Sequence, residues 1–301
     1  MSSAASWLHS FLSSTNNSSI FQRFRRYRFA IKTFLRGTKA GKGGAKDSFQ
    51  NEKEAWASAT KNVAEIEEIL GYRFKNIKLL HEAFTHPSYG EHYESYERLE
   101  YVGDSVLNLL ITKQQFSTYP DLPPGLLSPL RAANVDTEKL GRVAINHNFH
   151  KYILHGKPII EKRIQQFENA LPRYPLHSHG MLNAPKVLAD VVESTIGAIF
   201  IDTNSSIEMT WQVVKPLLKP IITPNMLQTN PVKKLFEMCQ KNKLNVRFND
   251  LGLQNGAYMY EVFIDDQLRG KSRCPSKRVA LNRAANNAYK EVVEALDMRL
   301  H

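Results

Sequence analysis

At 301 residues the chain is long enough for two domains, and its formal net charge of +11 comes from 40 Lys and Arg against 29 Asp and Glu. No apolar run reaches the length of a membrane-spanning helix, and two cysteines, Cys239 and Cys274, exclude a disulfide framework and suit a reducing compartment. The charge is unevenly spread. Residues 1–46 carry nine basic and no acidic side chains, and residues 229–301 carry 13 basic against 8 acidic, which leaves 47–228 at −3. A basic arm and tail around an acidic centre suit a protein that binds a polyanion and holds cations in its middle.

Residues 1–58 read as a basic, flexible leader. Ile20, Phe24, Tyr27, Ile31 and Phe34 recur at helical spacing, with Arg25, Arg28, Lys32 and Arg36 on another face. An acid-free amphipathic segment of this kind is compatible with an organelle transit peptide, an RNA-binding arm, a nuclear-import signal or a disordered tail. The run from Gly37 to Lys46 lacks the G-x-x-x-x-G-K-S/T spacing and a preceding apolar strand, so it is not a phosphate-binding P-loop.

From 59 to 220 the pattern is helical almost throughout. Val63, Ile66, Ile69 and Leu70 start one amphipathic helix, and Leu79, Leu80, Ala83 and Phe84 another. Glu97 to Ile111 follows as a strongly apolar helix that carries acids. On a helix turning about 100° per residue, Glu97, Glu100 and Asp104 share one face. Pro120, Pro123, Pro124 and Gly125 break the chain before a helix expected over 130–140. A polar break from Pro172 to Pro185 contains His177 and His179, read as loop polarity rather than metal ligands. The next helix, starting near Val187, places Asp190 and Glu193 as neighbours in an apolar frame.

Carboxylates in such surroundings repel one another and lose hydration, and both costs fall when they share a divalent cation. Hard oxygen ligands without Cys or His favour Mg²⁺, with Mn²⁺ able to substitute. Phosphoryl transfer is the chemistry that this combination serves. Gly103 and Gly197 lie inside the two acidic helices, where Gly costs about 1 kcal/mol relative to Ala, a cost that close approach of another backbone offsets.

These motifs carry a family resemblance. Glu97-Arg98-Leu99-Glu100-Tyr101-Val102-Gly103-Asp104-Ser105-Val106-Leu107 resembles the signature of the ribonuclease III family. Leu188-Ala189-Asp190-Val191-Val192-Glu193-Ser194-Thr195-Ile196-Gly197 is similar to that family's second acidic motif, and Ala83-Phe84-Thr85-His86-Pro87-Ser88-Tyr89 to its Thr-His-x-Ser turn. Leu70 to Asn76 resembles its opening helix, and Leu130 to Leu140 the version found in plant RNase-three-like proteins. The resemblance implies a mainly α endonuclease domain with Glu100, Asp104, Asp190 and Glu193 as its metal cage. Asp104 and Glu193 would matter most for activity and Glu97 would be auxiliary, while Arg98, between two acids, is expected to be an internal ion-pair partner. Pro124 stands where some members carry an acid, which weakens the case for a second metal site.

Beyond a linker at 221–229 the period changes. Val232 to Lys241 reads as a helix, Asn245 to Phe248 as a short strand, and Tyr258 to Ile264 and Gln267 to Cys274 as a hairpin turning at Asp265-Asp266. Ser276 then caps a final helix through Ala280, Ala284, Ala288 and Val292. The order over 230–298 resembles the small α+β (α-β-β-β-α) double-stranded-RNA-binding domain, which implies RNA contacts by Glu237, Gln240, Lys277 and Arg278. Leu281 replaces that family's third basic residue and no Gly-Pro-x-His loop surrounds Asn255-Gly256, so RNA affinity is expected to be weaker or altered, with a purely protein-binding domain as the alternative.

Taken together, the resemblance implies a Mg²⁺-dependent endoribonuclease that pairs as a homodimer. It would cut double-stranded RNA to 5′-phosphate and 3′-hydroxyl products with short 3′ overhangs. A non-catalytic scaffold of the same fold is the alternative. Small-RNA pathway proteins are among the partners implied. Nucleus or cytoplasm is the expected location, or an organelle if residues 1–46 act as a transit peptide.

Overall fold

The structure, a computed structural model, describes residues 62–90 and 94–297; the basic leader lies outside the described residues. The first part is a helical body. Helix α1 (62–70) ends at Gly71 with φ +60°, and α2 (Ile77–Ala83) starts at Asn76, whose side chain accepts the Lys78 N–H. Asp202 fixes the turn between them by accepting the Tyr72 hydroxyl at 2.7 Å and the backbone N–H groups of Lys75 and Asn76, each at 2.9 Å. The segment resembling the opening helix is therefore held by the far end of the second acidic helix.

The body is organised around α3 (Glu97–Thr118) and α7 (Lys186–Asp202). Leu99, Leu107, Leu110, Ile111, Val191, Ile196 and Ile199 are all buried in one hydrophobic cluster that extends to Leu80, Leu140, Val143 and Phe149. The expected helix over 130–140 proves to be two, α4 (Pro124–Val135) and α5 (Thr137–Asn146). Asp136 divides them, extended at ψ 158° and accepting the Lys139 N–H at 2.7 Å as an N-cap. Pro124 sits in the first turn of α4, where a missing N–H costs nothing, so it starts a helix instead of breaking one. Helices α6 (Pro158–Ala170) and α8 (Ile207–Leu217) complete the body. Lys139, almost wholly buried, donates to the Leu218 carbonyl at 2.7 Å, and burial lowers its pKa to about 8.

The C-terminal part has a core of its own. Helix α9 (Pro231–Lys241) is capped by Asn230, and an antiparallel sheet in the order β1 (Val246–Gln254), β2 (Ala257–Ile264), β3 (Gln267–Cys274) precedes α10 (Lys277–Asp297). Leu235, Cys239, Tyr260, Val262, Ile264, Ala280, Ala284 and Ala288 pack between sheet and helices, so both cysteines' burial is a matter of packing. Strand β1 runs six residues beyond the expected Phe248, because a bulge between Asp250 and Leu253, with Gly252 at φ +74°, interrupts the alternation that would reveal it. Asn255-Gly256 forms a tight turn with φ +47° and +74°, so no loop projects between β1 and β2.

The connecting segment is fastened down. Ile222 is buried, and its N–H and C=O are both taken by the Asn134 side chain, at 2.8 and 3.0 Å. His177 is likewise buried rather than lending polarity to a loop: its Nδ1 accepts the Gln228 N–H at 3.1 Å, and burial beside His179 lowers its pKa to about 4. Asn282 of α10 donates to the His179 carbonyl at 3.0 Å, and Arg283 Nε donates to the Met181 carbonyl at 2.7 Å. The C-terminal part is thereby seated on the loop before α7. Among the described residues no helix is long and apolar enough to cross a membrane.

Candidate active site

Close contact between two backbones builds the site. A Cβ placed on Gly103 would lie 1.7 Å from the Glu193 carbonyl oxygen, and one on Gly197 would lie 2.2 Å from that of Leu99. Glycine at both crossings lets α3 and α7 touch main chain to main chain, and the acids one helical turn away converge. One carboxylate oxygen from each of Glu100, Asp190 and Glu193 lies within 4.8 Å of the others, close enough for a single cation to take all three.

The electrostatics of this group follow from burial and crowding. Desolvation first, then the nearby charges of Asp104, Asp190 and Glu100, push the Glu193 carboxyl up to about 8. Burial also raises Asp190, although Lys186 opposes it. Lys186 Nζ donates at 2.6 Å to both Glu100 Oε1 and Asp190 Oδ1, and this ammonium, raised by both acids, bridges the two helices. The Tyr96 hydroxyl donates to Asp190 Oδ2 at 3.0 Å, and the Tyr96 N–H is held by the Thr85 carbonyl at 2.9 Å. Thr85 in turn donates its hydroxyl to the His81 carbonyl at 2.7 Å. The Thr-His-x-Ser turn thus reaches the site through Tyr96.

Asp104 is exposed one turn further along α3 and is not part of the 4.8 Å group, though its charge acts on Glu193. Its Oδ1 accepts the Asn108 amide at 2.9 Å. Glu97 is exposed and accepts the Ser95 hydroxyl at 3.0 Å. Arg98 corrects the sequence reading: it is exposed and forms no ion pair among the described residues, because helix neighbours one and two apart do not face each other; Glu100 pairs with Lys186 of the other helix instead. Sequence reasoning missed Lys186 and Tyr96. The first had a usable signal, standing four residues before Asp190 on one helix face; the second precedes α3 and had none.

The donor set, all carboxylate and partly buried, fits a hard divalent cation. It also fixes a sign. Glu193 has a folded-state pKa of about 8 against an ordinary 4.5, so between these values the folded chain holds more protons than the unfolded one. Without cation, stability therefore falls as pH rises through that window and levels off above it. Binding a cation displaces the proton. Mg²⁺ should consequently raise the melting temperature more at about pH 8.5 than at about pH 6. Scanning calorimetry with and without EDTA checks this, and an equal rise at both values would contradict it.

The four residues expected to contact RNA are placed differently from one another. Glu237 and Gln240 are exposed on α9, with Lys233 Nζ 3.6 Å from Glu237. Lys277 pairs with Asp250 at 2.9 Å; the Asp250 carboxylate, which also accepts the Tyr260 hydroxyl, is held down to about 2. Arg278 lies beside Gly180 of the helical body, and its charge acts on Asp136.

Comparison with known proteins gives the family. The ribonuclease III domain family matches residues 97–204, which contain both acidic helices. Ribonuclease 3-like protein 3 of Oryza sativa subsp. japonica is 44% identical over 239 residues, covering 78% of this chain and 79% of that protein. Endoribonuclease Dicer homolog 1 of Arabidopsis thaliana is 41% identical over 250 residues; the match takes in 78% of this chain but spans only 13% of that protein. The crystal structure of the nuclease domain of ribonuclease III from Campylobacter jejuni aligns at 30% identity with a TM-score of 0.42, over 54% of this chain and 99% of that one. On the identity and coverage of the rice protein, the chain belongs to the ribonuclease III family of endoribonucleases.

Proposed function

We propose that the protein is a Mg²⁺-dependent endoribonuclease that cuts double-stranded RNA, working as a homodimer and leaving 5′-phosphate and 3′-hydroxyl ends with short 3′ overhangs. The observation that carries this reading is the convergence of Glu100, Asp190 and Glu193 within 4.8 Å from two helices. A divalent cation held there, Mg²⁺ or Mn²⁺, would activate water and neutralise charge on the leaving oxygen. Tyr96 and Lys186 orient Asp190 and Glu100 for that task, and Lys186 adds positive charge where a phosphate arrives. Asp104 completes the acidic face, with Glu97 auxiliary. The C-terminal domain, through Glu237, Gln240, Lys277 and Arg278, reads the shape of an A-form duplex across its wide minor groove. Lys277 must leave Asp250 to do so. Incubating the protein with Mg²⁺ and duplex or single-stranded RNA tests the reading: only the duplex should be cut, and intact duplex bound tightly would favour a scaffold.

Pairing is supported by the outer face of α3. Tyr101, Leu109 and Phe116 are 80%, 50% and 77% exposed, and helical geometry puts them within an arc of about 80°. Glu97 and Asp104 lie together beside one edge of that arc, so two copies meeting there would bring two acidic groups near the interface. A single charge on this face should break the pair. Phe116→Asp and Leu109→Glu are expected to sediment as monomers and to lose double-strand cutting; dimers in both variants would move the interface elsewhere.

A further inference from the structure

A cleft of roughly 490 Å³ lies between the helical body and the C-terminal domain, bounded by α6, the segment before α7, the turn at Pro275-Ser276 and α10. Its size suits a nucleotide-length ligand. Three of its lining side chains are basic, Arg163, Lys186 and Arg283, and none is acidic. The arrangement on α6 is directional. Arg163, Gln166 and Ala170 share the face turned to the cleft, whereas Glu161 and Glu168 fall elsewhere on the helix. Arg163 is exposed and makes no hydrogen bond or ion pair among the described residues.

Arg283 is prepared differently. Its Nε is tied to the Met181 carbonyl at 2.7 Å and its guanidinium lies 5.6 Å from the centre of the Tyr174 ring, which leaves its terminal N–H groups to take an anion in a fixed position. At the other edge of the cleft Lys186 is in contact with Glu100 and Asp190. Lys186 therefore joins the wall of the cleft to the carboxylate group.

We propose that this cleft is a phosphodiester subsite: it takes the backbone of the RNA strand a short distance from the bond being cut, with Arg163 and Arg283 as its charged ligands. The inference rests on the nuclease reading above and adds to it a contact from α6. Because the cleft is walled by both domains, RNA seated in it would be aligned by the nuclease body and the C-terminal domain together.

The test uses the full chain and a duplex RNA in EDTA, so that binding is read without cleavage. Arg163→Ala should weaken binding by about tenfold and reduce the slope of log affinity against log salt by about 0.9, the loss of one phosphate contact. Arg163→Lys should restore the slope, and the melting temperature of both variants should match the parent's. A parent that binds duplex with the usual salt dependence, alongside an Arg163→Ala variant of unchanged affinity and slope, would overturn the subsite and leave the nuclease reading standing. A parent that binds no duplex at all would overturn the nuclease reading itself, and the subsite with it.

Discussion

Glu193→Gln and Asp104→Asn should each lower cleavage of duplex RNA by at least about 10³-fold while leaving the chain folded, a loss of about 4 kcal/mol of transition-state stabilisation. The two variants reach that result by different routes. Glu193 is partly buried and its carboxyl is pushed up to about 8, so in cation-free protein near neutrality it is mainly protonated. An amide of the same shape replaces that neutral carboxyl with little effect on packing, and the melting temperature in EDTA should hold or rise. What the variant loses is the charge a cation requires, so the Mg²⁺-dependent rise in melting temperature should largely disappear. Asp104 is exposed, and its Asn variant should melt like the parent. Single-turnover cleavage at saturating RNA, measured beside the two melting curves, checks both. Activity within tenfold of the parent in either variant would remove that residue from the proposed machinery.

The parts of this structure legible in the sequence are those governed by local periodicity. The apolar frame around Glu100 and Glu193 marked two buried helices, and Gly103 and Gly197 inside them marked a crossing of backbones. The alternation from Tyr258 to Ile264 and the turn at Asp265-Asp266 located the hairpin, whose φ values of +46° and +61° are those of a tight two-residue turn. What stayed hidden depends on contacts between distant residues. Asp136 divides α4 from α5 through a cap that a continuous helical pattern conceals. Ile222 is buried because Asn134, far away in the chain, satisfies its backbone. The seating of Asn282 and Arg283 on the loop before α7 involves main-chain carbonyls, which carry no residue-specific signal. In the site, residue types and spacing singled out Glu100, Asp190 and Glu193, which converge, and the spacing of Lys186 to Asp190 was also there to be read, whereas its reach across to Glu100 depends on how the two helices cross.

The largest effect on stability should come from the smallest substitution. Gly103→Ala adds one carbon, and that carbon would lie 1.7 Å from the carbonyl oxygen and 2.6 Å from the carbonyl carbon of Glu193. Neither atom can rotate away, since both belong to the backbone of a helix buried along most of its length. The two helices must separate, and the cluster joining Leu107, Leu110, Val191 and Ile196 must open with them. Overpacking of a core commonly costs about 1–3 kcal/mol, and a clash with main chain belongs at or above the top of that range. Alanine's better helix propensity returns only about 1 kcal/mol. For a body of this size a net loss of about 2–3 kcal/mol should lower the melting temperature by roughly 4–12 °C. The same separation carries Glu193 away from Glu100, so cation binding should weaken along with the fold. Gly125 supplies the control: it too is helical, but a Cβ there meets nothing within 4 Å, and Gly125→Ala should be neutral or slightly stabilising. Thermal unfolding of the two variants decides the matter. If Gly103→Ala melts within about 2 °C of the parent, a shift worth under about 1 kcal/mol, then the backbone contact does not bring the acids together.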